Sequence, residues 1–168
     1  MRSLIALGAL VALVACGESI DESEREAADA RDVAMVEAAN EAMPPLRMVT
    51  PEPILLPDIE RYDLLGEACN YAPGTSLGTR VVARPSDAFM KIDGDVVRLA
   101  ADPGSRELPM QTRTLYTGRE YSLRLVIQEG AVGEEAPGGA VNYEGTVEVR
   151  DEYGRIVYEG TGLAQCKS

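Results

Sequence analysis

The side chains able to do chemistry in this chain are few in kind, and the three cysteines say most. Cys16 follows directly on an apolar run from Leu4 to Ala15, whereas Cys69 and Cys166 stand far apart in the remaining sequence. No histidine occurs among the 168 residues, which removes the usual general base near neutral pH and the commonest metal ligand. Ser-His-Asp and Cys-His catalysis are excluded with it. Ser76, Ser86, Ser105 and Ser122 could serve as nucleophiles, but none sits in Gly-x-Ser-x-Gly, and Lys91 and Lys167 leave a Ser-Lys dyad few options. Two carboxylates across a cleft could hydrolyse a glycosidic bond, yet no spacing singles out a pair among the 18 acids from Asp58 onward. Asp87, Asp93 and Asp95 offer oxygens to a hard cation. They lack the EF-hand spacing, and Asp93-Gly94 already reads as a turn. Glu134-Glu135, in a glycine-rich stretch, reads as solubilising loop charge. No catalytic residue, metal site or cofactor is therefore expected. The net charge of −12 repels phosphate backbones and anionic headgroups, which argues against nucleic acid as a partner.

Stepping outward from Cys16, the segment before it has the layout of an export signal. Arg2 supplies the positive start and Leu4 to Val14 the apolar core. At about a dozen residues this core is short of the roughly 20 needed to span a bilayer. Leu13-Val14-Ala15-Cys16 resembles the lipobox of bacterial lipoproteins. The resemblance implies cleavage before Cys16, a diacylglyceryl group on its sulfur and acylation of its amine, so membrane lipid is the first expected partner. Several acyl chains at about 0.8 kcal/mol per buried CH₂ make such an anchor stable. Gly17 stands where enterobacterial inner-membrane lipoproteins carry Asp, so by analogy the expected address is the outer membrane, facing the periplasm. With Cys16 lipid-bearing, Cys69 and Cys166 remain as an even pair in a compartment where disulfides persist. A bond between them is expected, closing a loop of roughly 100 residues worth about 4–5 kcal/mol in chain entropy. Two buried free thiols are the alternative if the chain is not exported.

The rest divides into a lipidated, acidic segment over 16–43, a proline-rich linker over 44–57 and a folded domain over 58–168, after the signal at 1–15. Glu18 to Met43 has nine carboxylates, two arginines and many alanines. Ser19 with Glu22, and Ser23 with Glu26, have capping-box spacing, and acids crowd the first turns where the helix dipole favours them. Its apolar stripe is thin, so a solvated helical stalk is expected. Pro44-Pro45 ends it. Five prolines between Pro44 and Pro57 predict a semi-rigid extended spacer.

Beyond a short helix or turn at 58–65 the chain reads as mainly β, a small antiparallel barrel or sandwich of about seven or eight strands. The clearest signal is Ala88 to Leu99, folded about Asp93-Gly94 as a type I′ turn. That register opposes Met90 to Val97 and Ala88 to Leu99, with Ile92 on the same apolar face. Phe89, Lys91, Val96 and Arg98 fall on a mixed, more solvent-tolerant face. Tyr121 to Gln128 and Val141 to Arg150 alternate with the period of half-buried strands. Further strands are expected over 155–159 and, more weakly, over 79–84, 112–116 and 163–166. Residues 128–140 and 101–111 read as loops. Arg80, Arg84, Arg98, Arg113, Arg119 and Arg124 fall on or near strands, either as a face for an anionic partner or as a wet face balanced by acids.

Cys69, Ala88 to Ile92, Asp93-Gly94, Val97-x-Leu99 and Tyr116-Thr117-Gly118 together resemble the membrane-bound inhibitors of c-type lysozyme. The resemblance implies a lipid-anchored small β-barrel that inserts a loop into a lysozyme active site. The family's Trp and its Lys-Gly and Ser-containing loop signatures are missing here, so no site residue carries over. The expectation is a non-enzymatic envelope lipoprotein whose β domain binds a protein or glycan of the envelope or serves a structural role. The competing readings are a lysozyme-inhibitor-like module and a carboxylate-based hydrolase.

Overall fold

The computed structural model describes residues 21–76, 78–128 and 131–168. They fall into two compact units that divide between Pro44 and Pro45. Cys16 and the export segment lie outside the described residues.

In the first unit, helix α1 (Glu22–Glu41) has no buried residue. Asp21 is its N-cap residue, so Ser23 lies inside the first turn and the Ser23–Glu26 capping box is not formed. Glu22 and Glu24 occupy that turn, where unpaired N–H groups favour negative charge. The helix stops at Glu41, and Ala42 is already extended. The ring of Pro44 disfavours helical geometry at the residue before it, which accounts for the stop.

The second unit is a closed antiparallel barrel. Its strands are β1 (Ala68–Pro73), β2 (Val81–Ala83), β3 (Asp87–Ile92), β4 (Asp95–Ala101), β5 (Leu115–Thr117), β6 (Tyr121–Ile127), β7 (Glu134–Ala136), β8 (Ala140–Asp151) and β9 (Ile156–Lys167). The order β6-β5-β4-β3-β2-β1-β9-β8 closes on itself where β6 pairs with β8. Eight strands thus make the barrel, and β7 is an extra strand on β8. The β3–β4 hairpin has the expected register, Met90 opposite Val97 and Ala88 opposite Leu99. Asp93 and Gly94 both take positive φ, at 52° and 85°, as a type I′ turn demands.

Period-2 alternation sends one set of side chains inward and fills the barrel. Tyr71, Val81, Met90, Leu99, Tyr116, Leu123, Leu125, Val147 and Val149 are fully buried. An eight-stranded barrel is just wide enough to be packed in this way. Outward positions such as Arg124, Glu148 and Arg150 are polar. That polarity is the reverse of a membrane-spanning barrel, which is apolar outside. Gly160 leaves room in the wall for Tyr71 and Tyr158, while Gly145 and Gly162, opposite each other, admit Ala164 and the backbone of residues 72–74. A Cβ on Gly160 would come within 2.9 Å of the Tyr71 hydroxyl. That hydroxyl is buried beside Tyr158. Burial, with Tyr158 alongside, raises the Tyr71 phenol well above its usual range.

Cys69 and Cys166 sit directly opposite each other on β1 and β9 and form a buried disulfide. A short turn at Pro109–Gln111 packs over it. The Thr112 hydroxyl donates to the Pro109 carbonyl at 2.8 Å, and that carbonyl lies 3.4 Å from the Cys69 sulfur.

Three expectations change. Residues 45–55 do not form a free spacer but strap the barrel. Val49 donates its N–H to Val157, Glu52 to Lys91 and Ile54 to Thr79. In Pro51-Glu52-Pro53-Ile54 the prolines leave N–H donors only at Glu52 and Ile54, and both are used. Arg80 donates to the Pro51 carbonyl at 2.6 Å, and Arg47 pairs with Asp93 at 2.8 Å. Secondly, the mixed face of the hairpin is largely covered, with Phe89 buried, Lys91 and Val96 half-buried and Arg98 left exposed. Helix α2 (Leu56–Tyr62) and its flanks lay Ile54, Ile59 and Leu64 on Val82, Phe89 and Val96. Lys91 and Asp58 tie that helix down at 3.1 Å. Thirdly, residues 134–136 are strand β7 where a loop was expected, and residues 156–167 are one continuous strand where separate strands over 155–159 and 163–166 were expected.

Candidate functional site

The residues singled out for chemistry are mostly committed to the fold. Asp87 is buried and takes both guanidinium groups of its neighbourhood. Arg84 donates to its two oxygens at 2.7 and 3.0 Å, and Arg98 to Oδ2 at 2.8 and 3.0 Å. Both arginines also lie over the Phe89 ring. Burial alone would raise the Asp87 carboxyl, but the hydrogen bonds from Arg84 and Arg98 outweigh it and hold it below the usual carboxylate range. Asp87, Asp93 and Asp95 therefore do not converge, and no group of metal-ligating side chains is present among the described residues.

The candidate arginine face is likewise spent internally. Arg80 holds Pro51, Arg84 and Arg98 hold Asp87, and Arg113 pairs with Glu107 at 3.3 Å. Arg124 is exposed opposite Glu148, and Arg119 lies on the β5–β6 turn. A wet face balanced by acids describes the set better than an anion-binding surface.

A concave feature of the barrel lies elsewhere, where residues 131–134 run along the β8–β9 hairpin. This cleft has a volume of about 630 Å³ and is lined by Glu134, Asn142, Tyr143, Glu144, Thr161 and Leu163, among others. A smaller cavity of about 180 Å³ shares Gln128, Ala131 and Tyr143 with it and reaches Arg106 and Leu108. Gly133 makes the crossing possible. A Cβ there would press into Val141 and come within 2.7 Å of the Tyr143 ring. Asn142 accepts a 3.0 Å hydrogen bond from Gln165, which fixes one wall.

Glu134 lies opposite Asn142 in the β7–β8 register, and Glu144 is two residues further along the same face. Such diagonal neighbours stand roughly 7–8 Å apart along the sheet, somewhat less at Cβ. That separation would suit a pair of hydrolytic carboxylates. Both are exposed to solvent. Thr161 is the aliphatic hydroxyl among the described lining residues, and no Lys or Arg is among them. The lining offers carboxylates, amides and apolar surface to a ligand.

Sequence reasoning placed Glu134 in a loop and did not connect it with Glu144. The connection needs the β7–β8 pairing, which a three-residue strand next to Pro137-Gly138-Gly139 does not announce. No protein-family model matches the sequence, and neither a curated protein nor a solved structure matches it.

Proposed function

We propose that the chain is a lipid-anchored protein of the bacterial cell envelope whose barrel is a non-enzymatic binding module. The single observation that carries this reading is the Cys69–Cys166 disulfide. It consumes two of the three thiols in a bond that belongs to oxidising compartments. Cys16 is left as the odd cysteine, at the end of Leu13-Val14-Ala15 and an export-type apolar run. In this reading Cys16 is acylated, helix α1 is a stalk of about 30 Å at 1.5 Å per residue, and the strapped barrel is the module held out from the surface. Gly17 favours the outer membrane, facing the periplasm. The cleft along β8 and β9 is where the module takes its partner, an envelope protein or glycan.

Fractionation of cells expressing wild type and Cys16→Ser tests the anchor. Wild type is expected in the membrane fraction, labelled by radioactive palmitate, and the variant in neither state. A Cys16→Ser protein that still pellets with membranes overturns the reading.

A further inference from the structure

We infer that the cleft takes a basic segment of a partner polypeptide, with Lys or Arg at alternate positions of an extended strand. The inference rests on the barrel being a binding module and names what it binds. Its volume of about 630 Å³ falls within the roughly 300–1,000 Å³ of ligand sites and exceeds the needs of a single side chain.

None of the described residues in the lining carries a positive charge. Glu134 and Glu144 face this space without an ion pair among the described residues. Asp58, Asp87 and Asp151, by contrast, are each paired within the barrel. The backbone positions that carry the two glutamates stand roughly 7–8 Å apart, close to the roughly 6.6–6.8 Å between residues i and i+2 of an extended chain.

The apolar lining fits the same ligand. Val132 is 94% exposed, and Leu163 and Tyr143 also line the cleft. Lys and Arg bury their methylene stems on such surfaces while the charged head reaches an acid. Glu134 and Glu144 hold the heads, and the three apolar residues cover the stems. The asparagine and threonine of the wall, Asn142 and Thr161, bond the backbone between them.

The test uses the mature protein in a zwitterionic detergent and a fluorescein-labelled octapeptide in which Lys alternates with Ser. Fluorescence anisotropy is read at about 0.05 M and about 0.5 M salt. The lysine peptide is expected to saturate at low salt and a Glu-for-Lys counterpart not to bind. The double variant Glu134→Gln with Glu144→Gln is expected to weaken binding about tenfold, as two exposed ion pairs of roughly 0.7 kcal/mol each imply. Glu120→Gln with Glu152→Gln, which changes net charge equally on the β5–β6 and β8–β9 turns, is expected to leave binding unchanged. Equal loss in both double variants shows attraction to overall charge and overturns the inference. So does absence of saturation by the lysine peptide at millimolar concentration. Binding of a neutral glycan fragment, chitotetraose, that survives Glu134→Gln with Glu144→Gln also overturns it, while leaving the binding-module reading in place. The Cys16→Ser fractionation reports on the anchor independently of all these outcomes.

Discussion

Replacing Asp87 with Asn removes one charge and almost no volume from the most enclosed ion-pair network of the barrel. The Asp87 side chain is 2% exposed, Arg84 is 22% exposed and Arg98 is 70% exposed. Breaking a fully buried pair costs about 3–5 kcal/mol, whereas an exposed pair contributes about 0–1 kcal/mol. Arg84 lies nearer the first limit, because it also donates to the Asp63 carbonyl at 2.9 Å and cannot leave its place over Phe89 without giving that up. Arg98 can swing into water. Asp87→Asn should therefore destabilise the barrel by about 2–3 kcal/mol, between these limits. Arg98→Ala should cost no more than about 1 kcal/mol. Urea unfolding is the assay, with an expected midpoint shift of roughly 1–1.5 M for a slope near 2 kcal/mol per M.

The pH dependence of that difference follows from the direction of the shift. Asp87 has its carboxyl below the usual range in the folded protein. Its contribution is thus complete above the unfolded carboxylate pKa of about 3.9 and is lost as pH falls through the lower folded value. The wild-type advantage over Asp87→Asn should be constant from neutral pH down to about 4.5 and vanish in stronger acid. A variant less than 1 kcal/mol below wild type at neutral pH, or matched by Arg98→Ala, would refute the assignment of Asp87 and Arg84 as the enclosed pair.

Other expectations concern the barrel wall and the stalk. Thiol labelling of the exported, denatured, unreduced protein should detect neither Cys69 nor Cys166, and reduction should lower stability by about 4–5 kcal/mol for a loop of this size. Gly162→Ala should destabilise by at least about 1–3 kcal/mol in thermal or urea unfolding, because its Cβ would meet the backbone of β1, with Pro73 Cα and Gly74 N both at 2.7 Å. Gly94 lies in a turn with nothing within 4 Å of its Cβ position, so Gly94→Asn, which keeps positive φ accessible, should cost much less. Deleting residues 22–41 should remove the helical circular-dichroism signal and leave the barrel's unfolding midpoint within about 0.5 kcal/mol of wild type, since α1 buries none of its residues. Micromolar protein should leave the rate of lysis by c-type lysozyme unchanged, and inhibition would revive the lysozyme-inhibitor reading.

What was legible in the sequence follows from local physics. Asp93-Gly94 demands positive φ at two adjacent residues, and that turn sets the register of β3 and β4 without help from the rest of the chain. Tyr121 to Ile127 declares its buried face because side chains alternate with period 2 whatever the neighbouring strand. The mainly β class and the pairing of Cys69 with Cys166 were readable for similar reasons, one from pattern and one from counting. Long-range contacts decided the remainder. Closure of β6 on β8 separates a barrel from a sandwich, and no local pattern carries it. The Pro51-to-Ile54 strap reads as a spacer until Lys91 and Thr79 appear as acceptors for its two N–H groups. Phe89 reads as tolerant of water until α2 covers it. Glu134 and Glu144 become a pair only through the β7–β8 register. Turn geometry and side-chain parity act over a few bonds and are written residue by residue. Closure, covering and convergence depend on which distant segments meet, and that is settled only when the whole barrel buries its core.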